Sequence, residues 1–208
     1  MVKNYKYYIL FFIALIITSF GDSLVMKANI GTNAYETISM TLNYVTDIKI
    51  GTAGLICNCV CMLFCVLYHK KITMTTLLQI PMCIILGYVI NFFYYVLFDN
   101  LVLTYPIRLT MAVIGLIISA ASCGFLMTLD IVAFPYETFC LIISEQIKKE
   151  YSKVHMSTDL LAIIVTTIIS LFLHLSFATR EASIISMLIF GPVMGIVMNK
   201  SKGVLERI

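Results

Sequence analysis

Charged residues are scarce in this sequence. Asp, Glu, Lys and Arg make up 12% of the 208 residues, hydrophobic residues make up 61%, and the mean hydropathy is +0.99. So few polar groups do not cover a water-facing surface, which excludes a soluble domain. The formal net charge is only +3, so nucleic acid is not a predicted partner. We predict an integral membrane protein whose main partner is the lipid bilayer.

Recognisable catalytic motifs are also missing. The sequence contains no His-Glu-x-x-His, no Gly-x-Ser-x-Gly and no phosphate-binding loop, so it does not predict an enzyme. The seven cysteines fall in hydrophobic stretches without a second cluster that includes His, which favours simple burial. We therefore predict no metal, no cofactor and no disulfide framework. Linkers rich in Gly and Ser are absent too, so residues 1–208 are predicted to form one membrane domain.

Uncharged stretches divide the chain into six candidate membrane spans. They cover residues 7–21, 50–69, 72–98, 109–129, 160–179 and 182–199. Most approach the roughly 20 residues that a spanning helix needs. The first stretch is short, but it continues towards Met26 and has no small-x-small cleavage site, which indicates an uncleaved anchor. The predicted fold class is an all-α membrane protein with six transmembrane helices.

A polar motif occurs twice in this hydrophobic sequence. The segment MKANIGTNAYET begins at Met26, and MTLDIVAFPYET begins at Met127, 101 positions later. Because polar positions carry the match, we infer a duplicated and fused ancestral half, with repeats at about 7–98 and 107–200. Each half holds three spans, an odd number. The second half is therefore predicted to cross the membrane inverted relative to the first, as in many secondary transporters.

The distribution of basic residues predicts the orientation. With a cytoplasmic N-terminus, ten Lys and Arg residues lie inside and four lie outside. The inside set is Lys3, Lys6, Lys70, Lys71, Lys148, Lys149, Lys153, Lys200, Lys202 and Arg207, and the outside set is Lys27, Lys49, Arg108 and Arg180. This asymmetry predicts that both termini are cytoplasmic.

A short apolar-rich segment follows the first span of each half, at residues 34–46 and 135–147. Both segments are too short to span a bilayer, so each is predicted to be either a half helix that enters the bundle or an amphipathic helix at the interface. The motif lies at the start of both. Its matched polar residues are the candidates for binding a substrate or an ion: Asn29, Tyr35, Glu36, Asp130, Tyr136 and Glu137.

Helix capping is the competing explanation for these residues. Asn33 precedes Glu36 by three positions, as in a capping box, and Pro135 suits the first turn of a helix in which Glu137 is a favourable early acid. Asn29 and Asp130 fit a local turn role equally well. The remaining carboxylates are predicted to be structural. Asp22 lies near one interface or inside the bundle, with a surface role favoured over a functional one, and Asp159 belongs to a capped start of the fifth span.

Glycines mark equivalent places in the third span of each half. Gly87 in the first half corresponds to Gly191 in the second, where Pro192 and Gly195 follow. Small residues allow close helix approach, and proline removes a backbone donor. These four residues are predicted to be hinge or packing positions.

The repeated run of Lys27-Ala28-Asn29-Ile30-Gly31-Thr32, an acidic residue after a short interval, and the closing Gly191-Pro192 resemble the YczE/YyaS/YitT-like family of bacterial integral membrane proteins. The second copy departs from the pattern because it lacks the glycine. The resemblance implies a protein of the bacterial cytoplasmic membrane with a repeated architecture, and no particular activity.

Two functions fit these observations. The first is a transporter or permease for a small solute or ion, with its site between the repeats and a homodimer as one arrangement. The alternative is a non-transporting membrane partner or regulatory subunit of another protein, in which the two glutamates are purely structural. The position of Glu36 and Glu137, in one shared cavity or on separate surfaces, discriminates between them.

Overall fold

The computed structural model describes residues 5–101 and 104–205, which form eight α-helices. They are α1 (Tyr5–Ala28), α2 (Glu36–Thr46), α3 (Ile50–His69), α4 (Met74–Phe92), α5 (Tyr105–Leu129), α6 (Pro135–Ile147), α7 (Tyr151–Phe172) and α8 (Glu181–Leu205). A π-helical turn, Phe93–Leu97, extends α4. Lys3 and Arg207, which enter the charge count, lie outside the described residues.

Six of these helices are long and apolar enough to cross a membrane, and the two short ones follow the first long helix of each half. The all-helical fold class predicted from the sequence is therefore confirmed. Large apolar side chains on the long helices face outward, among them Leu67, Phe172 and Leu188, which are 66%, 81% and 65% exposed. Such an apolar outer surface is suited to lipid rather than to water.

Helix α7 begins at Tyr151, nine residues before the predicted span. The prediction that Asp159 caps the start of this helix is wrong, because Asp159 lies in its middle and is only 7% exposed. The polar residues at the start of α7 resemble a loop in sequence. They form a helix because several of them pack against α6.

Helix packing follows the repeat. α1 packs along α5, its counterpart in the other half, while α4 contacts α1 and α8 contacts α5. Each short helix contacts both α3 and α7, so α2 packs on one helix of each half, and α6 does the same. The two halves are therefore interlocked, and the starts of the short helices lie close to the contact between α1 and α5.

Glycines permit the closest helix contacts. A β-carbon on Gly21 would lie 2.8 Å from the carbonyl oxygen of Gly115, and one on Gly87 would lie 2.6 Å from that of Gly51. Gly87 therefore lies where α3 and α4 approach closely, which fits the packing alternative for this residue. A residue with a side chain at either place would force α1 from α5, or α3 from α4.

The second half differs from the prediction. β-Carbons on Gly191 and Gly195 would meet no atom of the described residues within 4 Å, and α8 continues as a helix through Pro192. Of the two predicted roles, close packing therefore does not fit Gly191 and Gly195, and the hinge role stays a prediction. The tight contact in this half forms instead at Gly124, where a β-carbon would lie 2.6 Å from the Met194 carbonyl oxygen.

Candidate functional site

The short helices begin deep inside the bundle. The Tyr35 hydroxyl donates to Oδ1 of Asn58 (3.4 Å), and the Tyr136 hydroxyl donates to Oδ1 of Asp159 (2.6 Å). Asn58 and Asp159 lie about 12 Å along α3 and α7 from their first residues, at 1.5 Å per residue. Both motifs therefore reach the central part of the long helices, so the half-helix alternative fits and the interfacial alternative does not.

The two copies of the motif meet at their tyrosines. The rings of Tyr35 and Tyr136 stack with centroids 4.1 Å apart and an interplanar angle of 16°. Burial raises the pKa of both phenols, so their hydroxyls stay protonated and remain donors. This contact joins the start of α2 to the start of α6 and is the centre of the site.

An internal cavity of about 80 Å³ surrounds the tyrosine pair. Both Glu36 and Glu137 line it, so the duplicated acids share one space. The other lining residues are Thr18, Asp22, Asn33, Ala34, Tyr35, Asn58, Leu86, Ser119, Cys123, Phe134, Tyr136, His155, Asp159, Ser186 and Phe190. A cavity of this size has room for a few water molecules or one small solute.

In the second half, Glu137 is held by α7. The hydroxyl of Tyr151 donates to its carboxylate, and Nε2 of His155 lies 3.4 Å from Oε1. The other ring nitrogen of His155, Nδ1, lies 3.2 Å from Oδ2 of Asp159. An imidazole donates from both nitrogens only when it is protonated. The geometry therefore fits a cationic His155 between two carboxylates.

In the first half, the buried carboxylate is Asp22 of α1. Its Oδ1 accepts hydrogen bonds from Ser119 of α5 and from Nδ2 of Asn33 (2.9 Å). Asp22 is 6% exposed, which fits the predicted alternative inside the bundle and not the one near an interface. Because α1 continues past Gly21 to Ala28, Asp22 lies within the helix and not at its end.

Glu36 lacks the partners that Glu137 has. The positions that correspond to Tyr151 and His155, 101 residues earlier, are Ile50 and Gly54, and neither carries a polar side chain. Burial, with the nearby charge of Asp22, raises the pKa of Glu36 to about 8. The first half thus holds two carboxylates close together without the histidine of the second half.

The predicted capping box is not formed, but both glutamates lie in the first turn of their helices, where an acid is favourable. The residues that precede α2 and α6, Tyr35 and Phe134, make no side-chain capping bond. Asn33, which the capping box requires, donates to Asp22 instead. Pro135 does occupy the first turn of α6, as predicted.

The predicted candidates Asn29 and Asp130 lie outside this cavity. Both are exposed residues at the ends of α1 and α5, with left-handed φ of 54° and 47°, which is the local turn role that asparagine and aspartate tolerate. Gly31 also has positive φ, +104°. The structure therefore unites four of the six candidates and leaves these two in the turns.

The turn before each short helix is held by residues of the opposite half of the chain. Gln79 of α4 donates to the Ala133 carbonyl oxygen (2.9 Å) and to Thr138 Oγ1 (3.0 Å). Correspondingly, Oγ of Ser183 in α8 accepts from the backbone N–H of Thr32 (3.3 Å). These bonds fix the chain just before each short helix, and so position the tyrosines.

Sequence reasoning did not identify three residues of the candidate site: Tyr151, His155 and Asp159. One signal for them was available. Asp159 lies 101 positions after Asn58, the offset of the motif itself, and His155 precedes Asp159 by four residues on the same helix face. The i, i+4 spacing places both side chains towards one neighbour.

The described residues, 5–101 and 104–205, contain no group of three or more His, Cys, Asp or Glu side chains arranged to hold a metal ion. Cys123, which lines the cavity, is buried. Cys140, beside the charged cluster of the second half, is fully buried, and burial raises its pKa to about 12. It is therefore an unreactive thiol at neutral pH. The chemistry available in the cavity is that of carboxylates, amides, hydroxyls, one imidazole and aromatic rings.

Comparison with protein families matches residues 5–199 to a family of unknown function, DUF6198. The chain belongs to this family. The matched residues include all six long helices up to the last turns of α8, and both copies of the motif. Comparisons with curated proteins and with solved structures gave no match.

Proposed function

We propose that this membrane protein is a transporter for a small solute or ion, with its binding site in the central cavity. One observation carries the proposal: Glu36 and Glu137, from the two copies of the motif, line the same internal space. Ionisable groups at membrane depth cost free energy and commonly mark the path of a substrate or a proton. Two short helices that start at a shared central site are also typical of transporters with repeated halves.

The transport cycle follows from the repeat. If the halves are inverted, α2 and α6 approach the cavity from opposite sides of the membrane, and each closes one side. The stacked tyrosines lie where the two barriers meet. Rocking of one half against the other along α1 and α5 would then open one side and close the other.

The test is solute flux in liposomes that contain the purified full chain. A panel of small cations, anions and neutral solutes is offered with and without a pH gradient. We expect uptake of at least one, and we expect Glu36→Gln and Glu137→Gln each to lower it about tenfold or more. Glu145→Gln, which removes an exposed carboxylate of α6, is the matched control and should transport normally.

Unchanged flux in both cavity variants would refute a role for the carboxylates. Absence of flux for the whole panel would favour the alternative of a non-transporting membrane partner.

The same proposal includes the location of the protein in the bacterial cytoplasmic membrane, with both termini in the cytoplasm. A reporter fused to the C-terminus should give a cytoplasmic signal. A signal on the outer side would overturn the inferred orientation. The relation to the YczE/YyaS/YitT-like family and the homodimer stay predictions.

A further inference from the structure

We propose that the ligand of the cavity is a small organic cation of the ammonium or guanidinium type, bound at Asp22 and Glu36 in the first half. This inference rests on the proposed function, because it names the class of substrate for the same cavity. Three features of the described residues support it: the distribution of charge, the supply of acceptors, and the aromatic lining.

The carboxyl groups of the first half, Asp22 and Glu36, have no basic partner among the described residues, and a bound cation would favour their ionised forms. His155 is the only basic residue among those that line the cavity, and it lies between Glu137 and Asp159. Within residues 5–101 and 104–205, the ion pairs of the described side chains do not involve Asp22 or Glu36. Buried charges in proteins are normally paired. A bound cation would supply the missing partner.

Hydrogen-bond acceptors also remain free beside these carboxylates. Asn33 directs its Nδ2 donor to Asp22, and its Oδ1 is buried without a hydrogen-bond partner among the described residues. Amide and carboxylate oxygens in this arrangement require a ligand that donates several hydrogen bonds. Ammonium and guanidinium groups donate and do not accept.

Aromatic rings complete the lining. Tyr35, Tyr136, Phe134 and Phe190 all border the cavity. A cation over an aromatic face gains about 0.5–2 kcal/mol, the larger value when it is desolvated. Metal ions prefer a shell of several oxygen, nitrogen or sulfur ligands, and the described residues do not group His, Cys, Asp and Glu in that way. The rings and the acceptors together therefore favour an organic cation.

The test is calorimetric binding to the full chain in lipid nanodiscs. Guanidinium chloride and methylammonium chloride at millimolar concentrations are the probes. Urea, the neutral analogue of guanidinium with nearly the same shape, is the control for charge, and NaCl and KCl are the controls for simple ions. We expect saturable binding of at least one organic cation and no saturable binding of urea. Saturable binding of Na⁺ or K⁺ alone would overturn the proposal.

Variants locate the site. Asp22→Asn and Glu36→Gln should each weaken binding of the cation about tenfold or more, because each removes a charged partner. Glu145→Gln, on the exposed side of α6, should bind like the wild type. Elution as a single species and a cooperative thermal transition identify folded variants, and if Asp22→Asn fails to fold, Glu36→Gln decides alone. Undiminished affinity in a folded Glu36→Gln variant would refute the site.

Binding and flux separate the two proposals. If the organic cation binds at Asp22 and Glu36 but no solute of the panel moves across liposomes, transport is wrong and the cation site stands. If another solute moves and the organic cations do not bind, the ligand class is wrong and transport stands.

Discussion

In the first half of the molecule Glu36 lies near Asp22 without a basic neighbour, whereas in the second half Glu137 contacts Tyr151 and His155. The frame around the two acids is the same: each motif tyrosine donates to a polar residue at the same depth, Asn58 or Asp159. The two motifs therefore match in the positions of their tyrosine rings and differ in the charges around their acids. A site with matched geometry and unmatched charge can hold a ligand in one half and retain its own counter-ion in the other.

Removing the histidine should have the largest effect on this difference. His155→Ala leaves Glu137 and Asp159 buried without their shared cation, so we expect a loss of about 3 kcal/mol in the free energy of unfolding. Thermal and denaturant unfolding in detergent micelles measure it. His69→Ala, which removes an exposed histidine at the end of α3, is the control and should change stability by less than about 0.5 kcal/mol. Equal stabilities for the two variants would contradict a cationic His155.

The turns before the short helices offer a second comparison. Gly31 has φ of +104°, and a β-carbon there would lie 2.9 Å from Oγ of Ser183, whereas the corresponding residue of the second half is Val132. We expect Gly31→Ala to cost about 2 kcal/mol through backbone strain and crowding.

Gly54→Ala is the matched control for Gly31→Ala in the same unfolding measurement. Its β-carbon would meet Ser39 Oγ at an ordinary 3.6 Å, and alanine is a better helix former than glycine. This variant should therefore be neutral or slightly more stable. A neutral Gly31→Ala would mean that the first turn does not require the left-handed conformation.

The same substitution can be made at the motif tyrosine of each half, with a smaller expected change in stability. Tyr136→Phe removes a 2.6 Å hydrogen bond to the Asp159 carboxylate and should cost about 1.5 kcal/mol. Tyr35→Phe removes a 3.4 Å bond to a neutral amide and should cost about 0.5 kcal/mol or less. Both variants keep the stacked rings. The reverse order of these two stabilities would show that the second half is not the more tightly bonded one.

A dependence of stability on pH should belong to the first half. Burial beside Asp22 raises the pKa of Glu36 from 4.5 to about 8, so between these values the folded protein binds more protons than the unfolded chain. Stability from this group is therefore complete below about pH 4.5 and falls as the pH rises towards 8. The midpoint of thermal unfolding should decrease over this range. Glu36→Gln should reduce the slope, and an identical slope would contradict the raised pKa.

Much of the fold could be predicted from the sequence because its signals are local. Long uncharged stretches identify spanning helices wherever they pack, and the bounds of α6, Pro135–Ile147, agree with the predicted segment. The repeat identifies Tyr35, Glu36, Tyr136 and Glu137 as residues at matching positions of the two motif copies. The start of α7 could not be predicted, because its polar residues resemble a loop until the helix packs against α6.

The partners of the acids required the tertiary structure. Asp22 lies 14 residues before Glu36 in sequence, and hydropathy alone places it at a helix end. Its burial depends on the close contact of α1 with α5, where Ser119 donates to it. The surroundings of Gly191 and Gly195 likewise depend on packing. A β-carbon on Gly87 would meet the backbone of Gly51, whereas one on Gly191 or Gly195 would meet no described atom within 4 Å.

By itself, the sequence determined that this protein has a lipid-suited surface, six long helices and two related halves, because composition and periodicity act residue by residue along the chain. Only the tertiary structure decided that both acid-bearing motifs face one cavity, and that one of the acids has a histidine partner while the other has none. Both features depend on contacts between helices whose residues lie 101 positions apart in the motif copies. Such contacts are a property of the packed bundle and not of any local stretch.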